Sequence, residues 1–237
     1  MEFWSSFALA YDLIRALDAD LIEVVLLSLR VSISALLISA LIGLPLGAIL
    51  ATQAFFMKRA LVVIVNALLA LPPVVVGLVV YMMLSNSGPL GWLQLLYTPT
   101  AMIVAQVILV TPIITALSRQ ILEESNHTYH EQLLSLGVVG LDKMLTLFFE
   151  ARYALLTVML AAFGRAVSEV GAVIIVGGNI NHVTRVMTTT IALETSKGDL
   201  ALALALGIIL LGIALVVNIG VASIKQFEGR QDHVYAA

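Results

Sequence analysis

An arginine and a glutamate four residues apart, Arg165 and Glu169, stand inside a run that is otherwise apolar from Ala154 to Gly177. On a helix that spacing puts both side chains on one face, where they can form an ion pair. Charges inside such a run are costly unless they pair or face a cavity. The pair therefore carries two readings: the lining of a polar pathway, or a lock between two helices. Ser168 adjoins them, and its hydroxyl, like those of Ser32, Ser39, Thr111, Thr115 and Thr157, can donate to a passing anion or bridge neighbouring helices. Arg30, two helical turns after Glu23, reads as a long side chain that snorkels its charge to an interface. Other kinds of chemistry have no residues to carry them. The sequence has no cysteine, hence no disulfide, catalytic thiol, iron–sulfur cluster or thiolate metal site. Lys58, Lys143, Lys197 and Lys225 all lack the preceding glycine of a phosphate-cradling loop. His127 and His130 with Glu131 are too few ligands for a metal, and no catalytic or metal site is expected. A net charge of -3 gives no basic face for nucleic acid.

The elements that must position these residues are membrane spans. Of the 237 residues 61% are hydrophobic and 11% charged, against about 45–50% and about 25% in soluble domains, and mean hydropathy is +1.07. Lipid obliges a crossing backbone to satisfy its own hydrogen bonds, so runs of about 20 apolar residues should be helices. Five runs stand out: Leu21 to Ala51, Leu61 to Leu84, Ala101 to Leu122, Ala154 to Gly177 and Leu200 to Ile224. The expected class is an all-α polytopic bundle of five or six transmembrane helices. The first run exceeds a perpendicular span and holds Gly43, Pro45 and Gly47, so it should tilt, bend or begin outside the hydrocarbon. Its G-x-x-x-G reads first as a site of close helix packing. Pro72, Pro73 and Pro112 should kink their spans and free carbonyls, as befits helices beside a gate. Ahead of the first run, Phe3, Phe7, Ala10, Ile14 and Leu17 recur at helical spacing with Trp4 and Tyr11 nearby, the pattern of an interfacial helix over residues 1–18. Glu2 and the lack of a cleavage site argue against a signal peptide. Residues 19–225 then form the membrane domain, and 226–237 a cytoplasmic tail.

Basic residues resist translocation and so fix orientation. Lys58, Arg59, Arg119, Lys143, Arg152, Lys225 and Arg230 fall on one side of a five-span chain, whereas Arg15, Arg185 and Lys197 fall on the other. The first side is cytoplasmic, the N-terminus is outside, and the uncharged stretch Ser85 to Thr98 is an external loop. The longest polar connection, about 120–150, is then cytoplasmic, and a connection of that length is usually functional. Thr128 to Glu131 read as a T-x-x-E capping box, followed by the apolar stripe Leu133, Leu134 and Leu136 and by Gly137, a left-handed C-terminal stop. After Gly140 a second amphipathic segment presents Leu141, Met144, Leu145, Phe148 and Phe149. Helix, glycine, helix is a docking shape, or alternatively a pair of helices resting on the membrane.

Glu131, Gln132, Leu133, three further residues and Gly137 resemble the cytoplasmic E-A-A-x-x-x-G loop of importer-type ATP-binding-cassette permeases, with Gln132 and Leu133 in place of the alanines and no proline after Leu147 to Glu150. Leu71 to Gly77, with its two prolines, resembles the double-proline span of the molybdate, sulfate and tungstate permeases. The stretch from Gly164 through Gly178, Asn179 and Ile180 is similar to their fourth-span signature, in wording closest to the tungstate branch. The resemblance covers about Ser28 to Gly220.

It implies the MetI-like architecture of type I importers and a multi-pass inner-membrane permease subunit that carries a tetrahedral oxyanion. Tungstate is the first expectation, with molybdate or sulfate the alternatives. Implied partners are a second copy of the chain, separate ATPase subunits that bind ATP and magnesium, an external oxyanion-binding protein, periplasmic or lipid-anchored, and membrane lipid. Glu131, Leu134, Leu136 and Gly137 are the expected ATPase-coupling residues. Arg165, Ser168, Glu169, Pro72 and Pro73 are the expected pathway residues, with Arg165 offering charge to the oxyanion and Glu169 preventing tight trapping. Gly178, Asn179 and Thr188 lie in the loop expected to meet the binding protein or form the external gate. An ion-driven secondary transporter is the competing class; it would show inverted repeats with broken helices in matching positions, and no convincing repeat is present.

Overall fold

The computed structural model describes residues 3–16 and 18–235. Glu2, Leu17 and residues 236–237 lie outside the described residues, as do the side chains of Phe3, Trp4, Lys225 and Arg230. Among the described residues there are ten α-helices and no strand. They are α1 (Phe3–Ala16), α2 (Ala19–Thr52), α3 (Lys58–Leu68), α4 (Pro73–Leu84), α5 (Pro99–Ser135), α6 (Gly140–Glu150), α7 (Arg152–Val167), α8 (Gly171–Gly177), α9 (Met187–Lys197) and α10 (Leu200–Tyr235), with a single 3-10 turn at Gly91–Leu93. Asp18 separates α1 from α2: its Oδ1 accepts from the N–H groups of Asp20 (3.1 Å) and Leu21 (3.2 Å), an N-terminal cap.

Three stretches are each long and apolar enough to cross a membrane: Ala19–Thr52, Pro99–Ser135 and Leu200–Ile224. Two bent helix pairs, α3 with α4 at 100° and α6 with α7 at 72°, bring the number up to five if each pair is counted as one span. The first bend breaks the second expected span, Leu61 to Leu84; the second lies ahead of the fourth, Ala154 to Gly177, which is interrupted further on. Pro72 and Pro73 do not kink a helix in mid-course; Pro72 is the extended N-cap of α4 and Pro73 its first residue, where a missing N–H costs nothing. In the fourth, α7 stops at Val167 and α8 starts at Gly171. Pro45 and Pro112, by contrast, lie inside α2 and α5, which continue past them.

The chain forms two compact units. The first comprises Met1–Ala35, Pro72–Ile108 and Gly164–Val216; the second comprises Leu36–Leu71, Leu109–Phe163 and Val217–Ala237. In the first unit α4 and α8 pack backbone to backbone. A Cβ on Gly77 would stand 2.8 Å from Ala172 Cα, and one on Gly171 would stand 2.8 Å from a Val74 methyl. In the second unit the expected close packing at G-x-x-x-G is present: a Cβ on Gly43 would meet Ile114 at 3.0 Å, and one on Gly47 would meet the Ser118 hydroxyl at 2.1 Å. Ala48, Ala51, Leu122, Leu133, Leu147, Ala151 and Leu155 form a buried apolar cluster there. Much apolar surface stays uncovered. Only 17% of the apolar window of α10 is buried, and Leu211, Leu215 and Val216 are exposed, as is proper to helices whose solvent is lipid.

Candidate pathway and coupling sites

In the first unit Arg165, Ser168 and Glu169 gather at the break between α7 and α8. Breaking a helix frees backbone groups, and in lipid each must find a partner. Side chains supply them. Ser168 Oγ donates to Arg165 O (3.2 Å), Gln106 Nε2 to Ala166 O (3.0 Å) and Thr188 Oγ1 to Glu169 O (2.8 Å). The Glu169 side chain, 5% exposed, bridges the gap. Its Oε1 accepts from the Ala172 N–H (3.2 Å), capping α8, and its Oε2 lies 2.5 Å from Arg165 Nη1. Arg165 is the outward half of this pair, with 42% of its side chain exposed. A guanidinium has five donors, so one carboxylate contact leaves others free to meet a ligand. The double-proline and fourth-span motifs, far apart in sequence, thus meet where α4 packs on α8.

Beyond α8 the chain turns at Gly178 (φ +71), where a Cβ would stand 2.8 Å from the Tyr97 ring. Asn179, also left-handed (φ +50), is turned inward: its Oδ1 accepts from Thr189 Oγ1 (2.9 Å) and its Nδ2 donates to Thr189 O (3.3 Å). Thr188, expected in the external loop, instead lies with Thr189 and Thr190 in the first turn of α9, and all three are buried. Their hydroxyls bond within the unit, so Thr188 offers no landing surface. His182 Nδ1 is 2.8 Å from Glu23 Oε2, which engages the glutamate expected beside Arg30. That hydrogen bond, reinforced by the charge of Glu23, raises the imidazole pKa above its ordinary value. Sequence reading missed Gln106, although an amide inside an apolar run is a signal of its own.

In the second unit the chain turns at Gly137. The separate capped helix expected at Thr128 is absent: α5 runs unbroken from Pro99 to Ser135, and Thr128 Oγ1 donates back to Glu124 O (3.1 Å) as any mid-helix threonine can. The expected stop at Gly137 is present, with φ +69. Val138 N–H reaches Leu133 O (2.9 Å) and Gly137 N–H reaches Leu134 O (3.0 Å), the paired bonds of a Schellman turn. Leu133 anchors the turn in the buried cluster, with Val138 packed against it, whereas Glu131, Leu134, Leu136 and Gly137 face outward. The second amphipathic segment is α6, with Leu147 buried and Leu141, Leu145 and Phe149 exposed. Beside the turn an open cleft of about 730 Å³ is lined by residues 51–54, Lys58, Glu123 and 126–132.

The first unit thus holds a half-exposed cation at a broken helix, and the second an outward helix–glycine–helix elbow. Residues 43–227, which include both, match the family described as the inner membrane component of binding-protein-dependent transport systems. The chain belongs to this family. It is a multi-pass inner-membrane transport subunit rather than an enzyme, and works with a substrate-binding protein and a separate ATPase. Among its relatives, the tungstate uptake system permease protein of Peptoclostridium acidaminophilum is 39% identical over 93% of this chain and 96% of its own. That of Campylobacter jejuni is 43% identical over 69% of each chain. A probable anion ABC transporter permease protein of Haloferax volcanii is 40% identical over 84% of this chain and 88% of its own.

Proposed function

We propose that the chain is the permease subunit of an importer for a tetrahedral oxyanion, with tungstate the first assignment, and that two copies enclose the path. The observation that carries this reading is the Arg165–Glu169 arrangement. A fully free arginine would hold a dianion tightly. One already engaged by a buried carboxylate presents its remaining donors with the net attraction reduced, which suits passage better than storage. Ser168 stands exposed beside it with its hydroxyl donating to Arg165 O, and Pro72 and Pro73 lie in the same unit. Two relatives named for tungstate and one for an anion support the substrate class. In this reading Glu131, Leu134, Leu136 and Gly137 form the contact for the ATPase, which holds ATP and magnesium. Gly178 and Asn179 lie toward the binding protein, with Thr188 beneath them. The N-terminus is outside with α1 along the outer interface, the tail is cytoplasmic, and lipid and a second copy cover the exposed apolar faces.

The decisive measurement is ATPase stimulation of the reconstituted complex by its binding protein loaded separately with tungstate, molybdate or sulfate. Tungstate should stimulate most. Stimulation by sulfate alone reassigns the substrate, and stimulation by none removes the reading. Arg165→Ala should cut uptake about 10- to 150-fold, the worth of one charge-assisted hydrogen bond of about 1.5–3 kcal/mol, while the ATPase still co-purifies. Undiminished uptake would leave Arg165 a structural partner of Glu169.

A further inference from the structure

Beside Glu169 lies a small cavity within the first unit, lined by Ser28, Val31, Ser32, Gln106, Val167, Glu169, Val173, Val186 and Thr188. Its room is about 10 Å³, that of a single water molecule. One of its linings is a buried acceptor without a donor: Gln106 is 3% exposed, its Nε2 is spent on Ala166 O, and its Oε1 has no hydrogen-bond partner within the protein. Buried polar atoms in stable folds are satisfied by protein or by ordered water, and an orphan costs about 1–3 kcal/mol. We propose that this cavity is a hydration site holding one ordered water, which ties α2 and α5 to the break between α7 and α8.

The bonding capacity of the lining matches a water. Gln106 Oε1 takes one of its hydrogens. The Glu169 carboxylate, which engages Arg165 and the Ala172 N–H but has about four lone-pair sites, takes the other. The Ser32 hydroxyl, on a residue 2% exposed, donates to its oxygen. Ser28 and Thr188 are already engaged, the first donating to Val24 O (2.7 Å) and accepting from the Met187 N–H (2.7 Å), the second donating to Glu169 O. A sodium ion would fit the volume but not the charge: Glu169 already balances Arg165, and a second cation would leave one buried carboxylate facing two positive charges. Water therefore closes the hydrogen bonds of the break without altering its charge.

The test uses the assembled transporter. A map that resolves ordered waters should show one peak within about 2.6–3.2 Å of both Gln106 Oε1 and the Glu169 carboxylate. Ser32→Ala should keep the peak, and Ser32→Val, which fills the cavity, should abolish it. Melting temperatures in sodium, potassium and choline salts should coincide. A dry cavity in the unsubstituted transporter overturns the proposal, as does a melting temperature that rises with sodium and not with choline. If Ser32→Val fails to fold, the unsubstituted map and the salt series decide.

Discussion

At the scale of single residues, Glu169 does two things that substitution can separate. It caps α8 through the Ala172 N–H and it holds Arg165. Glu169→Gln keeps an acceptor for the cap but loses the charge; Glu169→Ala loses both. The alanine variant should therefore be about 1 kcal/mol less stable than the glutamine variant, the usual value of an N-terminal cap. Thermal unfolding of the purified permease reads the difference, and equal melting of the two would assign the stabilisation to the ion pair alone. His182 gives a pH dependence. Its pKa is raised by Glu23, so the pair strengthens the loop when the imidazole is protonated, fully below the unfolded value near 6.5. The benefit fades as pH rises through the higher folded value. After correction for the intrinsic pH dependence of exchange, amide protection in the 178–186 loop should fall across that window. His182→Gln should flatten the change; a loop equally protected on both sides of the window would dissociate the pair from loop order.

At the scale of elements, the turn between α5 and α6 distinguishes what the backbone needs from what a partner needs. No atom lies within 4 Å of a Cβ built on Gly137, so its requirement for glycine within the chain comes from φ +69 and not from crowding. Gly137→Ala should cost about 1–2 kcal/mol through left-handed strain, and Gly137→Trp should add little to that, since the larger side chain projects into open space. Loss of the ATPase from the tryptophan variant but not from the alanine variant, scored by co-purification, would locate the partner's surface against this turn. Retention by both would place the contact elsewhere on the elbow. The 100° and 72° bends obey the same logic of local chemistry: proline at the head of α4, and Arg152 at the head of α7, where its guanidinium lies over the Phe149 ring at 4.3 Å and its Nη1 donates to Phe149 O (2.6 Å).

At the scale of the whole molecule, the basic residues that fall on one side of the chain predict its orientation, and the absence of cysteine makes this simple to measure. Asn86→Cys, in the uncharged loop after α4, should react with a membrane-impermeant maleimide added to intact cells. Gly137→Cys should react only after permeabilisation. The reverse pattern would invert the topology and with it the assignment of the coupling turn. The exposed apolar faces of α2 and α10 belong to this scale as well: they are too extensive for water and are matched to lipid or to another copy of the chain.

Hydrophobic run length by itself placed the apolar core of the long spans, because the thickness of a bilayer imposes it; Leu21 to Ala51 and Ala101 to Leu122 fall within Ala19–Thr52 and Pro99–Ser135, and Leu200 opens α10, which runs on to Tyr235. Glycine chemistry determined the Gly137 stop and the Gly43 and Gly47 approach in the same local way. Tertiary structure decided what local rules could not see. A T-x-x-E tetrad can start a helix or lie within one, and at Thr128 the long α5 runs straight through it. Whether a span breaks at residues 168–170 depends on who satisfies the freed carbonyls, and the partners Gln106 and Thr188 come from α5 and α9. The inward turn of Asn179 and the burial of Thr188 follow from the same cause, since a hydroxyl in lipid goes to whichever backbone group the fold leaves without a bond.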